Sequence, residues 1–195
     1  MPRRLAAAAA FALAAALPAT TSPANAAELE GRLKAYAETE VAAWVQDPVL
    51  IGAILAANTA HAALTPEGIT ALDLAWRAEV GAGQTPTITP VVENAASDFL
   101  RAQMQAAGGA ITEVFVMDAQ GLNVAASGIT SDYWQGDEEK FSETYPAGPG
   151  ALHLGAIELD ESTQIYQAQV SMTVTDPATG QAIGAITVAL NAEML

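Results

Sequence analysis

Cysteine is missing from the whole sequence. Disulfide bonds, thiolate metal sites and a cysteine nucleophile are therefore excluded, and so is a lipid-modified cysteine behind a leader peptide. A chain of 195 residues does not need disulfides, because it is long enough to bury one hydrophobic core.

Positive charge is scarce. Seven lysine and arginine residues stand against 22 acidic residues, which gives a formal net charge of −15. Two of the seven, Arg3 and Arg4, lie in a leader, so its removal makes the charge two units more negative. Such a chain repels phosphate backbones and anionic membrane surfaces, and we expect no nucleic-acid partner.

The usual catalytic signatures are also missing. The sequence has no Gly-x-Ser-x-Gly, no His-Glu-x-x-His and no phosphate-binding loop. Its two histidines, His61 and His153, lie far apart without a neighbouring ligand pattern, which favours structural roles. We therefore expect neither an enzyme nor a bound cofactor or metal.

The one long apolar run lies at the start of the chain. It extends over residues 5–17, follows Arg3 and Arg4, and precedes the small-x-small sequence Ala24-Asn25-Ala26. This order is typical of a secretory signal peptide, and the run is shorter than the ~20 residues of a membrane span. The sequence thus predicts a signal peptide over 1–26 and one soluble periplasmic domain over 27–195.

Residues 28–107 have the apolar spacing of helices. The first predicted helix covers 28–46, and Asp47 caps a second over 49–63. Thr65 caps a third, which ends near Val80, and a fourth covers 91–107 before Gly108-Gly109. The apolar face of the first helix comprises Leu29, Leu33, Tyr36, Ala37, Val41 and Trp44.

The period changes from 3.6 to 2 over residues 111–191. Strands are predicted over 111–117, 122–126, 153–159, 163–175 and 181–191, and a short helix over 137–144. Hairpin connections require antiparallel pairing. The predicted fold class is α+β: a five-stranded antiparallel sheet with a long N-terminal helix and further helices packed on one face.

The two faces of the fourth strand differ in chemistry. Its apolar side chains, from Tyr166 to Val174, alternate with an uncharged polar row. That row comprises Gln167, Gln169, Ser171, Thr173 and Thr175. An uncharged row in so acidic a chain suits the floor of a pocket, although an ordinary solvated face has the same pattern. Only the loop over 127–149 is left to cover this face.

That loop contains the highest density of side chains suited to ligand recognition in the chain. Tyr133 and Trp134 could stack on a ligand or enclose a cation, with Asp132 and Asp137 adding negative charge, which favours an amine or quaternary ammonium ligand. Alternatively, the aromatics fill the core. Lys140 could pair with Asp137 or Glu143 in solvent, and the loop carboxylates could hold Ca²⁺.

The chain resembles the Cache sensor domains, which are PAS-like and also called PDC sensors. The long first helix and four segments carry the resemblance: Val114-Phe115-Val116-Met117-Asp118-Ala119-Gln120-Gly121-Leu122-Asn123-Val124, Asp132-Tyr133-Trp134-Gln135-Gly136-Asp137-Glu138, Val170-Ser171-Met172-Thr173-Val174-Thr175-Asp176-Pro177 and Gly184-Ala185-Ile186-Thr187-Val188. The resemblance implies a ligand held between loop and sheet, whose binding shifts the long helices.

The chain departs from that family in two respects. It carries no signalling output or membrane span up to Leu195, and no arginine follows Arg101 to hold a carboxylate. A carboxylate ligand would have to rely on Lys140 or on neutral donors.

These observations predict a soluble periplasmic sensing module that signals through a separate membrane-bound receptor, kinase or transporter. The predicted ligand-binding residues are Asp132, Tyr133, Trp134, Asp137 and Lys140 in the lid and Gln167, Gln169 and Thr173 in the floor. The alternative is an interaction protein of the same fold that binds no ligand and uses the apolar face of its first helix, from Leu29 to Trp44.

Overall fold

The computed structural model describes residues 23–160 and 165–194. The predicted signal peptide lies outside this part of the chain except for its last four residues, which form the first helical turn. The helices are α1 (Pro23–Tyr36), a π-helical turn (Ala37–Val41), α2 (Ala42–Trp44), α3 (Pro48–His61), α4 (Pro66–Glu79), α5 (Thr89–Val92), α6 (Ala95–Ala106) and α7 (Glu139–Ser142). The strands are β1 (Ile111–Met117), β2 (Asn123–Ala126), β3 (Leu152–Asp160), β4 (Ile165–Thr175) and β5 (Ala182–Asn191), and a 3₁₀ turn covers Tyr145–Ala147.

Local signals account for most helix starts. The Asp47 side chain accepts a hydrogen bond from the Val49 backbone N at 2.8 Å, and the Thr65 hydroxyl accepts one from Gly68 N at 3.3 Å. The prediction of one helix over 91–107 is wrong, because Asn94 breaks it. Its side chain accepts a bond from Ser97 N at 2.9 Å and so caps α6 separately from α5.

The five strands form one antiparallel sheet in the order β2-β1-β5-β4-β3. The predicted fold class is therefore confirmed. Strand β5 is the last in the chain but lies at the centre of the sheet, and nearly all of its residues are buried.

Hydrophobic clusters cover both faces of the sheet. The first lies under the N-terminal helices and includes Leu33, Val41, Trp44, Ile54 and Leu100. The second comprises Trp76, Ile88, Val91, Phe115, Met117, Leu122, Ala126, Tyr133, Phe141 and Ala185. The expectation that only the 127–149 loop covers the second face is wrong in one respect, since α4 and the segment around α5 also contribute side chains there.

No single helix in the described ranges is both long and apolar enough to cross a membrane. The pair Ala27–Trp44 and Pro48–His61 passes by length and composition together, but is bent by 79°.

Candidate functional site

The loop tyrosine packs into the second cluster. The ring of Tyr133 stacks on Trp76 of α4 with 5.2 Å between centroids and an interplanar angle of 4°. Trp76 Nε1 in turn donates to the Thr130 carbonyl at 2.8 Å. Burial, with a smaller contribution from the negative charge of Asp118, raises the pKa of Tyr133 to about 12. The phenol is therefore neutral at physiological pH.

The loop tryptophan is held by hydrogen bonds. Trp134 Nε1 donates to the Gln120 carbonyl at 2.8 Å. The backbone N–H groups of Tyr133 and Trp134 both donate to Asp73 Oδ1, at 2.9 and 3.1 Å. Both rings thus contact protein groups, as the interpretation of these aromatics as core residues requires. Their contact with a ligand stays a prediction.

The two loop aspartates have different surroundings. Asp132 Oδ1 accepts from Gln135 Nε2 at 2.6 Å, and Asp132 Oδ2 lies 3.5 Å from the Arg77 guanidinium. Asp137 is exposed. Asp132 thus shares the Arg77 guanidinium with Asp73, which lies closer at 2.8 Å, and its carboxylate is already engaged with protein groups.

Lys140 lies close to the sheet. Its Nζ is 2.9 Å from Glu138 Oε2 and 5.4 Å from the centroid of the Phe115 ring. The expectation that it pairs with Asp137 or Glu143 in solvent is wrong: the partner is Glu138, and the Lys140 side chain is only 16% exposed. The short helix α7 turns this ammonium inward, over the second face of the sheet.

Strand pairing places a row of side chains across the second face beneath Lys140. Phe115 pairs with Thr187, Thr187 with Ser171, and Ser171 with His153. The Ser171 and Thr187 hydroxyls are 2.9 Å apart and fully buried. This hydroxyl pair is the centre of the floor.

The predicted floor residues lie on either side of this pair. Thr173 is 4% exposed, and its Oγ1 has no hydrogen-bond partner among the described residues. Gln167 and Gln169 are half-buried further along β4. A buried hydroxyl without a partner costs free energy, so Thr173 is a position that a ligand or water could satisfy.

The roof over this floor is the segment 139–147. Helix α7 packs on β3 and β4, and the 3₁₀ turn packs on β4 and β5. The rings of Phe141 and Tyr145 stack with 5.4 Å between their centroids. The polar face is therefore covered at Ser171 and Thr173, and the covering chain is C-terminal to the Tyr133-Trp134 pair.

Sequence reasoning overlooked several residues that shape this region. Thr187 stands between apolar residues in β5, and this one hydroxyl in an otherwise apolar strand was an available signal. Asp73, Trp76 and Arg77 of α4 hold the loop from a distant part of the sequence, and no local pattern indicates that contact.

In residues 23–160 and 165–194, no three His, Asp or Glu side chains are grouped so that they could hold a metal ion. His61 instead lies 2.5 Å from Asp118, and His153 lies 3.9 Å from the exposed Glu139.

A separate groove of about 540 Å³ adjoins the π-helical turn and is lined by Arg32, Ala35, Tyr36, Thr39, Glu40, Ala107, Ala110 and Met194.

Comparison with known proteins supplies a fold. No protein-family model and no curated protein sequence matches the chain. The chain is similar to the sensor domain of the histidine kinase DctB from V. cholerae, with a TM-score of 0.51 and 10% identity over 88% of this chain and 55% of that one. It thus spans about half the length of that domain.

Two chemoreceptor domains are also similar to it. The ligand-binding domain of Campylobacter jejuni Tlp3 in complex with 4-methylisoleucine gives a TM-score of 0.41 and 12% identity over 92% of this chain and 64% of that one. The ligand-binding domain of PctC from Pseudomonas aeruginosa PAO1 in complex with GABA gives 0.38 and 15% over 64% and 52%.

The chain has the fold of a sensor domain. The Cache-type fold that the sequence resemblance predicted is confirmed by the similarity to the DctB sensor domain. An identity of 10% shows fold alone, so the chemistry of the site has to come from the residues described above.

Proposed function

We propose that this protein is a periplasmic module that binds a small molecule and signals through a separate membrane-bound receptor, kinase or transporter. The observation that carries the proposal is the covered floor of uncharged polar groups, in which the buried Thr173 hydroxyl lacks a partner among the described residues. A binding function is consistent with the similarity of the fold to the DctB sensor domain.

The proposed ligand contacts are Lys140 in the roof and Gln167, Gln169 and Thr173 in the floor, to which we add the Ser171–Thr187 hydroxyl pair. In this proposal the loop residues Asp132, Tyr133 and Trp134 act mainly by holding the roof in place, and the exposed Asp137 makes no ligand contact. Tyr133 and Trp134 serve this role through their contacts with α4 and with the β1–β2 turn.

The proposed ligand carries an anionic or carbonyl group. Lys140 is shielded from solvent, and its partner Glu138 is 40% exposed, so a ligand carboxylate could replace Glu138 at the ammonium. An amine ligand fits less well, because the two loop aromatics are engaged with protein groups and Asp132 is paired with Arg77.

The alternative function is that of an interaction protein, which would use the apolar face of the first helix. Leu33, Ala37, Val41 and Trp44 of the first helical run are at most 8% exposed, because they pack on the sheet. Most of this face is therefore part of the core, while Leu29 and Tyr36 of the same face are partly buried, so the face favours packing on the sheet over binding of a partner protein.

A thermal-shift screen of small carboxylates, amino acids and amines tests the proposal. A ligand at 100 times its Kd adds about 2.7 kcal/mol to the free energy of unfolding. In a protein of this size each kcal/mol raises Tm by roughly 2–4 °C. For the best compound, Lys140→Met and Thr173→Val should each weaken binding about tenfold in calorimetric titrations, since each removes a polar contact in a covered site.

The matched control is Lys34→Met, which removes a lysine that is 58% exposed on α1. It should bind like the wild type. A screen without any hit, or a hit that binds Lys140→Met and Thr173→Val as tightly as wild type, would contradict the proposed site.

A further inference from the structure

The C-terminal turn of α3 is tied to the turn between β1 and β2. Asn58 Oδ1 accepts from Ala119 N at 2.7 Å, and Asn58 Nδ2 donates to the Ile183 carbonyl at 2.7 Å. In the opposite direction, Gln120 Nε2 donates to the His61 carbonyl at 2.6 Å. Two of these bonds join residues about 60 positions apart and the bond to Ile183 joins residues 125 positions apart, so together they fix helix α3 to the sheet.

A buried carboxylate lies at the centre of this contact. The Asp118 side chain is 1% exposed, and its Oδ2 is 2.5 Å from His61 Nδ1. Its Oδ1 accepts from the backbone N–H groups of Gln120 and Leu122 at 2.8 and 3.0 Å. A buried carboxylate needs such donors and a positive charge to remain ionised. Within the described ranges, His61 is the only residue that forms an ion pair with Asp118.

The other groups around Asp118 do not carry a compensating positive charge. Tyr133 faces it from the loop and stays neutral, because burial and the Asp118 charge raise the pKa of this phenol to about 12. On the α4 side, Arg77 is engaged with Asp73 at 2.8 Å and with Asp132 at 3.5 Å. The charge of His61 therefore has no substitute among these residues.

The same turn is tied to the loop that precedes the roof. Trp134 Nε1 donates to the Gln120 carbonyl, Gln135 N donates to the Gly121 carbonyl at 2.8 Å, and Asn123 N donates to the Tyr133 carbonyl at 3.0 Å. A continuous set of hydrogen bonds therefore runs from helix α3 through Asp118 to the loop over 130–137.

We propose that His61 is a proton-operated latch, which fastens the 130–137 loop to helix α3 when it is protonated and loosens it when it is neutral. Histidine is the side chain whose charge changes between pH 5 and 8. Loss of its proton replaces a charge-assisted hydrogen bond to Asp118 with a weaker neutral one. The loop is thus held more firmly when His61 carries its proton than when it does not.

Hydrogen exchange of the protein without ligand tests the latch. After correction for the intrinsic pH dependence of exchange, the backbone amides of 130–137 in the wild type should lose about fivefold of their protection between pH 5.5 and pH 8. The glutamine in His61→Gln provides an N–H donor but cannot become charged, so this variant should abolish the pH dependence. His153→Gln removes the chain's other histidine and should preserve it.

A wild-type measurement makes the test independent of how well the variant folds. An NMR titration should show the Trp134 indole N–H signal shifting with the same midpoint as the His61 ring signals. A pH-independent protection of 130–137 in the wild type, or different midpoints for the two signals, would overturn the latch. Neither result depends on a ligand, so the latch and the sensing proposal can fail separately.

Discussion

At the scale of single residues, the aromatic side chains of the loop over 127–149, the central loop, mainly build structure. Tyr133 lies on Trp76, and the indole N–H of Trp76 is bonded to the Thr130 carbonyl. In our proposal, the ligand contacts that the sequence led us to assign to the loop aromatics lie instead at hydroxyls of β4 and β5 and at Lys140.

The ionisation of Tyr133 should make stability depend on alkaline pH. Its pKa of about 12 lies above the ordinary value of 10, so the folded state binds the phenolic proton more tightly than the unfolded chain does. The stabilisation is complete below pH 10 and is lost as the pH rises through 12, by up to roughly 3 kcal/mol. Urea denaturation at pH 9 and pH 11.5 measures this loss.

Two variants serve as a matched pair, one at a buried tyrosine and one at an exposed tyrosine. Tyr133→Phe should lose less stability than the wild type over this pH interval, whereas Tyr166→Phe, at a side chain 52% exposed, should keep the wild-type dependence. Equal slopes for Tyr133→Phe and wild type would show that Tyr133 is not the responsible group.

At the scale of elements, the sequence predicted nearly every helix and strand because their signals are local. Asp47, Thr65 and the Gly108-Gly109 pair mark helix ends by hydrogen bonding or backbone conformation within four residues. The π-helical turn over 37–41 was not predictable in this way, because it lies within one continuous apolar face. Asn94 is a residue type that caps helices, but the prediction of one helix over 91–107 followed the apolar periodicity instead.

The candidate site was less predictable because it depends on contacts between distant segments. Alternation in β4 indicated the polar floor, including Thr173, from sequence alone. The direction of Lys140, the contact of Tyr133 with Trp76 and the pairing of Ser171 with Thr187 all depend on how elements pack.

The β1–β2 turn should tolerate an added side chain poorly. Gly121 has φ +80°, and a Cβ there would lie 2.6 Å from Gly136 Cα, on the backbone of the central loop. Gly180, in the turn before β5, has φ +72° and open space around it. Gly180→Ala should cost about 1–2 kcal/mol, the usual cost of a left-handed non-glycine residue.

Gly121→Ala carries the same backbone cost together with the clash against Gly136, so it should exceed Gly180→Ala by about 1 kcal/mol or more. Guanidinium denaturation of the two variants gives both values. Similar losses in the two variants would mean that the turn and the central loop can separate freely.

At the scale of the whole molecule, one sheet separates two hydrophobic clusters. Trp44 belongs to the first cluster and Trp76 to the second, and β5 is buried between them. Because both clusters share this strand, we expect them to unfold as one unit.

Substitution of a β5 residue tests that cooperativity. Leu190 is fully buried in the first cluster, so Leu190→Ala should lower the free energy of unfolding by about 2–5 kcal/mol. Fluorescence of proteins that retain only Trp44 or only Trp76 should report the same reduced midpoint. A midpoint that falls for Trp44 alone would show that the two sides of the sheet unfold independently.

The strand order also determines when the chain can assemble. The β1–β2 and β3–β4 hairpins occupy opposite halves of the sheet, and only the segment Ala182–Asn191 bridges them. The two hairpins pair residues that are close in sequence, whereas β5 pairs with a strand far back along the chain, as Ile111 does with Leu190, 79 positions later. Contacts of such long sequence separation form slowly, so we expect the insertion of β5 between the hairpins to limit the folding rate.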